Sequence, residues 1–150
     1  MDEENGVFEF TYANREETRK KCEEALKIHK KIFGRPPDGG EVPPNWSFSI
    51  ESLEVFLQYY PYVCIYKFVF PKERPPLFAQ AYLPTSGIES IEKSVSMFEE
   101  ELDYYEPTVV RIVMHPQDTA SEYFQEVAYQ AFSLVEDRGY KLSTYKEVFG

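Results

Sequence analysis

The chain has 150 residues, of which 43% are hydrophobic and 17% aromatic, so it has ample material for one packed domain covering residues 1–150. Its formal net charge of −10 repels phosphate backbones and anionic lipid, which argues against binding to nucleic acid or to a membrane surface. The acidic start does not resemble a secretory signal, and no apolar run approaches the ~20 residues of a transmembrane helix. We therefore expect a cytoplasmic protein.

Two cysteines, Cys22 and Cys64, lie in a helix-like and a strand-like run. They form no CxxC motif and no Cys/His ligand spacing, so the sequence gives no support for a zinc site. We expect two buried free thiols in a reducing compartment.

The first predicted element is a helix from about Arg15 to Phe33. Asn14 and Glu17 have the spacing of a capping box, and Gly34 supplies the left-handed position that ends a helix. The helical spacing predicts one inward face, formed by Cys22, Ala25, Leu26, His29, Ile32 and Phe33.

Strand-like and helix-like segments alternate after the first helix. A short extended piece, Glu41–Val42, is followed by a proline-rich loop, a second helix and several further segments. The first of these segments are a helix capped by Ser49 (50–58) and two strands (62–70 and 78–83). A helix follows that begins with a Ser86 and Glu89 capping box and ends near residue 102, and after it comes a strand (108–114). The last two segments are a helix that Thr119 caps and Gly139 ends, and a closing strand (140–148). The alternation predicts an α/β fold with a mainly parallel sheet.

His115 and Asp118 are the first candidate functional residues. His115 directly follows a predicted strand, the position at which parallel α/β folds gather functional side chains, and an imidazole there suits acid–base chemistry. The alternative is a surface or capping histidine without a role. Asp118 either orients that imidazole or caps the helix that follows.

The segment Pro43-Pro44-Asn45-Trp46 is the second candidate. It places an aromatic plane and an amide in a rigid loop, an arrangement that suits stacking against a sugar ring. Trp46 as an ordinary core residue is the alternative. The first interpretation predicts substrate-binding roles for Pro44, Asn45, Trp46 and Asp118.

Taken in order, several short motifs resemble the polysaccharide deacetylase (NodB homology) family, and most closely its group of uncharacterised predicted deacetylases. The motifs are Phe8-Glu9-Phe10, residues 32–37 (IFGRPP), residues 40–47 (GEVPPNWS), residues 112–116 (IVMHP) and residues 137–145 (DRGYKLSTY). The resemblance implies the C-terminal half of a (β/α)7 barrel, with His115 as the general acid that protonates the leaving amine.

The family's metal-binding half has no counterpart in this sequence. Family enzymes hold a divalent metal such as zinc through an aspartate and two histidines, and use a second aspartate as the base. The chain contains no Asp-Asp pair and no His-x-x-x-His, and Val42 lies near the place of the family's groove arginine. We therefore expect no metal or other cofactor in this chain, and no activity from the chain alone.

Three functions remain open at this point. The chain is half of a split deacetylase completed by an N-terminal partner, a non-catalytic carbohydrate-binding module using a groove between Trp46 and His115, or a protein-interaction module. A barrel without its first strands exposes an apolar edge, which predicts a homodimer or a complex with the missing half.

Overall fold

The computed structural model describes residues 9–82, 90–114 and 120–149, without the side chains of Asn45, Ala81 and Tyr82. These residues form two compact units. Among the described residues, the first comprises 9–77 and 143–149, and the second comprises 78–82, 90–114 and 120–142.

The first unit begins with helix α1, Arg15–Phe33, as the sequence predicts. Asn14 accepts a hydrogen bond from the Glu17 backbone N–H at 3.0 Å, and Glu17 accepts one from the Asn14 N–H at 3.0 Å, so the capping box is complete. Gly34 ends the helix in the left-handed conformation, with φ of 73°. The predicted inward face is correct for Cys22, which is buried, but wrong for Ala25, Ile32 and Phe33, which are exposed.

Helix α2, Ile50–Tyr59, packs against α1 and is capped by the Ser49 side chain. The core of this unit joins the two helices to the first strand, and it contains Phe10, Ala13, Cys22, Val55, Phe56, Tyr60 and Val63. One buried polar contact crosses this core, a 2.8 Å hydrogen bond between the Thr18 and Ser52 hydroxyls. Ile50, the first residue of this helix, is exposed.

The run 62–70, predicted as one strand, forms a hairpin instead. Strand β1, Tyr62–Cys64, pairs antiparallel with β2, Phe68–Pro71, and the turn between them is closed by a 2.9 Å hydrogen bond from the Ile65 N–H to the Phe68 carbonyl. Strand β3, Leu77–Phe78, completes a three-stranded sheet in the order β1-β2-β3. Glu41 makes an isolated parallel bridge to Val63, in keeping with the predicted extended conformation of Glu41–Val42.

The second unit is built on two helices, α3 (Ile91–Tyr105) and α4 (Glu122–Asp137). Its core includes Phe98, Leu102, Ala131 and Val135. Ser90 and Ser121 cap these helices, whereas the predicted caps Ser86 and Thr119 lie outside the described residues.

Two short strands pair in parallel in this unit, β4 (Ala81–Tyr82) with β5 (Arg111–Ile112). The guanidinium Nε of buried Arg111 donates to the Ala79 carbonyl at 2.8 Å. Only two residues of the predicted strand 108–114 are therefore in a strand. Val110, just before this strand, and Ile112, within it, pack against the core of α3 and α4.

The predicted closing strand 140–148 is also wrong, because Tyr145–Phe149 is a short helix, α5. Thr144 and Glu147 form a second reciprocal capping arrangement, in which the Thr144 N–H donates to Glu147 at 2.7 Å and the Glu147 N–H donates to the Thr144 hydroxyl at 3.3 Å. The Thr-x-x-Glu spacing was present in the sequence, and the apolar residues around it favoured the strand interpretation.

The fold-class prediction is wrong as a whole. Of the described residues, 54% are helical, and they form a small antiparallel three-stranded sheet rather than a mainly parallel sheet alternating with helices as in part of a (β/α)7 deacetylase barrel. The described strands are only two to four residues long. Prolines at 71, 75 and 76 limit strand pairing at the hairpin, because each lacks the N–H that a sheet ladder needs. No helix within the described ranges is both long and apolar enough to cross a bilayer.

Candidate functional site: the Trp46–Tyr66 aromatic pair

Trp46 ends a single 3-10 turn, Pro44–Trp46, that follows the fully buried Pro43. Its N–H donates to the Pro43 carbonyl at 2.8 Å, and the Ser47 N–H donates to the Pro44 carbonyl at 3.1 Å. The turn is tied to the start of the unit through the Ser47 and Thr11 hydroxyls, which lie 2.8 Å apart. Two prolines and three hydrogen bonds therefore hold the turn in one conformation.

The backbone of Trp46 has φ of 53°, in the left-handed region that bulky residues rarely adopt. Such a conformation costs about 1–3 kcal/mol and persists only where the surroundings enforce it. The result is an indole, half-exposed, that the backbone presents in a fixed direction.

Tyr66 lies in the turn between β1 and β2, and its ring stacks on the indole. The ring centroids are 5.0 Å apart with an angle of 29° between the planes. Both residues are half-exposed. We call these two residues the aromatic pair.

A row of phenylalanines supports the hairpin that carries Tyr66. Phe68 is 39% exposed, and its ring centroid lies 6.4 Å from that of Phe70. The ring centroids of Phe70 and Phe48 are also 6.4 Å apart. Phe48 contacts the fully buried Phe56 edge to face at 6.4 Å. The hairpin is thus anchored to the core of the first unit by aromatic contacts, which restrict the position of the pair.

The predicted site residues are only partly described. Pro44 and Trp46 lie together in the 3-10 turn, whereas His115, Asp118 and the Asn45 side chain lie outside the described part of the structure. The predicted groove between Trp46 and His115 therefore stays a prediction.

Sequence reasoning missed Tyr66, because residues 62–70 were interpreted as one continuous strand. In such a strand, Tyr66 is a covered core residue, and the turn that brings it to Trp46 does not exist. The only sequence signal for the turn was Lys67, the single charged residue of the run.

Cys22, Glu41 and Tyr60 form a polar cluster in the same unit, and this cluster is the other candidate for a functional site. Burial and the nearby charge of Glu41 raise the pKa of the Cys22 thiol to about 11. Burial likewise raises the pKa of Glu41, against the opposing effect of a hydrogen bond with Tyr60. A thiol protonated at neutral pH is a poor nucleophile, so the cluster does not have the properties of a catalytic cysteine site.

Both cysteines are free and buried, as predicted. Within the described ranges, no group of three or more His, Cys, Asp or Glu residues has an arrangement that could hold a metal ion. The described residues therefore do not fit the divalent metal that the deacetylase resemblance implies.

Comparisons with known proteins provide no further identification. No protein-family model matches the chain, and neither the curated proteins nor the solved structures gave a significant match.

Proposed function

We propose that this chain is a non-catalytic binding module that holds a neutral saccharide on the aromatic pair. The observation that carries the proposal is Trp46, held at φ of 53° and stacked on Tyr66 while half-exposed. Strained backbone of this kind clusters at ligand-binding positions, where preorganisation is useful.

The chemistry of the pair favours a sugar. The apolar face of a sugar ring packs on an aromatic plane, while its hydroxyls stay in contact with water or polar groups. A rigid aromatic side chain loses little conformational entropy on binding, so the ligand gains the stacking energy at low cost. The net charge of −10 disfavours anionic saccharides and nucleotides, whose bases also stack on aromatic rings. Two buried thiols that form no disulfide are consistent with a module that works in the cytoplasm.

Trp46 is the only tryptophan, so its fluorescence reports on the proposed site without background. We expect neutral oligosaccharides of glucose, xylose or N-acetylglucosamine to produce a saturable change in Trp46 emission. Tyr66→Ala should weaken binding at least about tenfold, equivalent to about 1.4 kcal/mol. Tyr129→Ala, which removes an exposed tyrosine from α4, is the matched control and should leave binding unchanged.

The absence of any saturable change at millimolar saccharide would contradict the proposal, as would equal affinities for the wild type and Tyr66→Ala. The same samples can be assayed for acetate released from acetylated amino sugars. Release that is lost in His115→Ala would contradict both the non-catalytic module and the expectation that the chain alone is inactive.

A further inference from the structure

The last turns of α1 carry an apolar surface that the core of the first unit does not cover. Ile28 is 50% exposed, Ile32 66% and Phe33 64%. The helix packs on α2 through its first half, where Thr18 and Cys22 are buried, and Leu26 is only partly covered. We call Ile28 and Ile32, with the flanking Lys27 and Lys31, the α1 stripe; these residues adjoin one another at helical spacings of three and four.

The α1 stripe is basic in an otherwise strongly acidic chain. The segment 25–37 contains Lys27, Lys30, Lys31 and Arg35, and no acidic residue. Arg35 pairs with Asp38 at 3.1 Å. None of the three lysines forms an ion pair with another described residue. An apolar surface with unneutralised cations beside it favours an apolar partner surface that carries carboxylates.

Helix α3 in the second unit carries a surface of that kind. Met97 is 44% exposed and Tyr104 is 81% exposed, and the two are seven residues apart on one side of the helix. Glu100 lies exposed between them, whereas Glu101 is only partly exposed and accepts a 3.0 Å hydrogen bond from the Gln80 side chain. The helix has five acidic residues and one lysine, Lys93, and two of the acidic residues, Glu99 and Asp103, pair with Arg138. We call Met97, Glu100 and Tyr104 the α3 stripe.

We propose that the chain self-associates by placing the α1 stripe of one copy against the α3 stripe of a second copy. Two isoleucines meet a methionine and a tyrosine at helix–helix spacing, while Lys27 and Lys31 face the carboxylates of α3. The match in both polarity and charge identifies a second copy as the partner.

Reversal of one charge on each stripe tests the pairing directly. In sedimentation at low ionic strength, the wild type should show an average mass that rises with concentration above the 17.6 kDa of one chain. Lys31→Glu and Glu100→Lys should each weaken self-association about tenfold or more. An equimolar mixture of the two variants should restore it, because each contact then joins an acidic stripe to a basic one.

Two further variants make the result interpretable. Lys141→Glu makes the same charge change at an exposed lysine outside both stripes and should leave the association unchanged. Ile32→Ser removes an apolar contact without changing charge and should weaken it. Both mutated charges are on helix surfaces, so circular dichroism should show unchanged helix content in each variant. The proposal would be overturned if the average mass of the wild type did not change at protein concentrations up to about 0.5 mM, where even a Kd of 1 mM is detectable. Failure of the mixture to associate more than either variant alone would also overturn it.

Discussion

At the scale of single residues, Gly40 has no room for a side chain. A Cβ at this position would lie 2.0 Å from the Tyr62 ring and 2.4 Å from the Tyr62 carbonyl oxygen. At the neighbouring Gly39 the nearest contact would be the Tyr62 hydroxyl at 3.6 Å, an ordinary van der Waals distance. The two adjacent glycines therefore have different structural roles, although the sequence Gly39-Gly40 gives no hint of it.

We expect Gly40→Ala to lower the free energy of unfolding by about 1–3 kcal/mol, since Tyr62 and its backbone must move to admit the methyl group. Gly39→Ala, the matched control, should change it by less than about 0.5 kcal/mol. Urea unfolding followed by Trp46 fluorescence measures both. Equal effects of the two substitutions would contradict the close approach of Tyr62 to Gly40.

Glu41 makes stability depend on pH. Burial raises its pKa above the ordinary value of 4.5, so the folded chain holds this proton more tightly than the unfolded chain. The protonated Glu41 carboxyl therefore stabilises the folded chain fully at pH values below its pKa in the unfolded chain. This stabilisation is lost as the pH rises through the higher pKa of Glu41 in the folded chain. Glu41→Gln keeps a neutral group that can accept a hydrogen bond from Tyr60.

Relative to the wild type, Glu41→Gln should therefore unfold at a higher temperature at pH 7, and this advantage should shrink as pH falls toward about 4. Glu24→Gln on the exposed surface of α1 removes the same formal charge without burial, and it controls for net charge. An advantage of Glu41→Gln that stayed constant with pH would exclude titration of Glu41 as its cause.

At the scale of secondary-structure elements, side-chain caps define where helices begin. The caps of the four longer α-helices, α1 to α4, are Asn14, Ser49, Ser90 and Ser121, each of which accepts a hydrogen bond from the third helical N–H. Asn14 is the strongest case, because Glu17 returns the bond. Its helix also carries the α1 stripe, so the cap supports the surface proposed to self-associate.

We expect Asn14→Ala to lower the free energy of unfolding by about 1 kcal/mol, because the Glu17 backbone N–H loses its acceptor, the Asn14 side-chain oxygen. Asn14→Asp, which keeps an acceptor oxygen at the cap, should remain close to the wild type. Chemical denaturation of the three proteins side by side makes the comparison. If Asn14→Ala had the same free energy of unfolding as the wild type, the Asn14 cap would contribute nothing to stability.

At the scale of the whole molecule, charge is distributed unevenly. The chain has 26 acidic and 16 basic residues. The charged residues of segment 25–37 are nevertheless all basic, and those of α3 are mainly acidic. Self-association through these two stripes should weaken as salt rises, since the Debye length falls to about 8 Å near physiological ionic strength. The apolar contribution of Ile28, Ile32, Met97 and Tyr104 is far less sensitive to salt. The proposed contact should therefore persist in weakened form at moderate salt, which repeating the sedimentation series with added NaCl will show.

The sequence by itself determined the local structure wherever neighbouring residues complete a structural signal. Helix α1 with Asn14, Glu17 and Gly34, and helix α2 with Ser49, depend on contacts within a few residues of the chain. The burial of Cys64 also followed from the apolar run around it, and that of Cys22 from its place on the apolar face of α1.

Tertiary structure decided the pairing of the strands, and with it the candidate site. Apart from Lys67, nothing local distinguishes a buried parallel strand from a short hairpin in the run 62–70, because a short apolar run fits either structure. The hydrogen bond that folds the hairpin at Ile65 and Phe68 also brings Tyr66 to within stacking distance of Trp46. Likewise, the spacing of α1 predicts an apolar face along the whole helix, but only packing determines that the core stops before Ile32 and Phe33. Burial depends on which segments, distant in sequence, reach a residue, and no pattern within one segment contains that information.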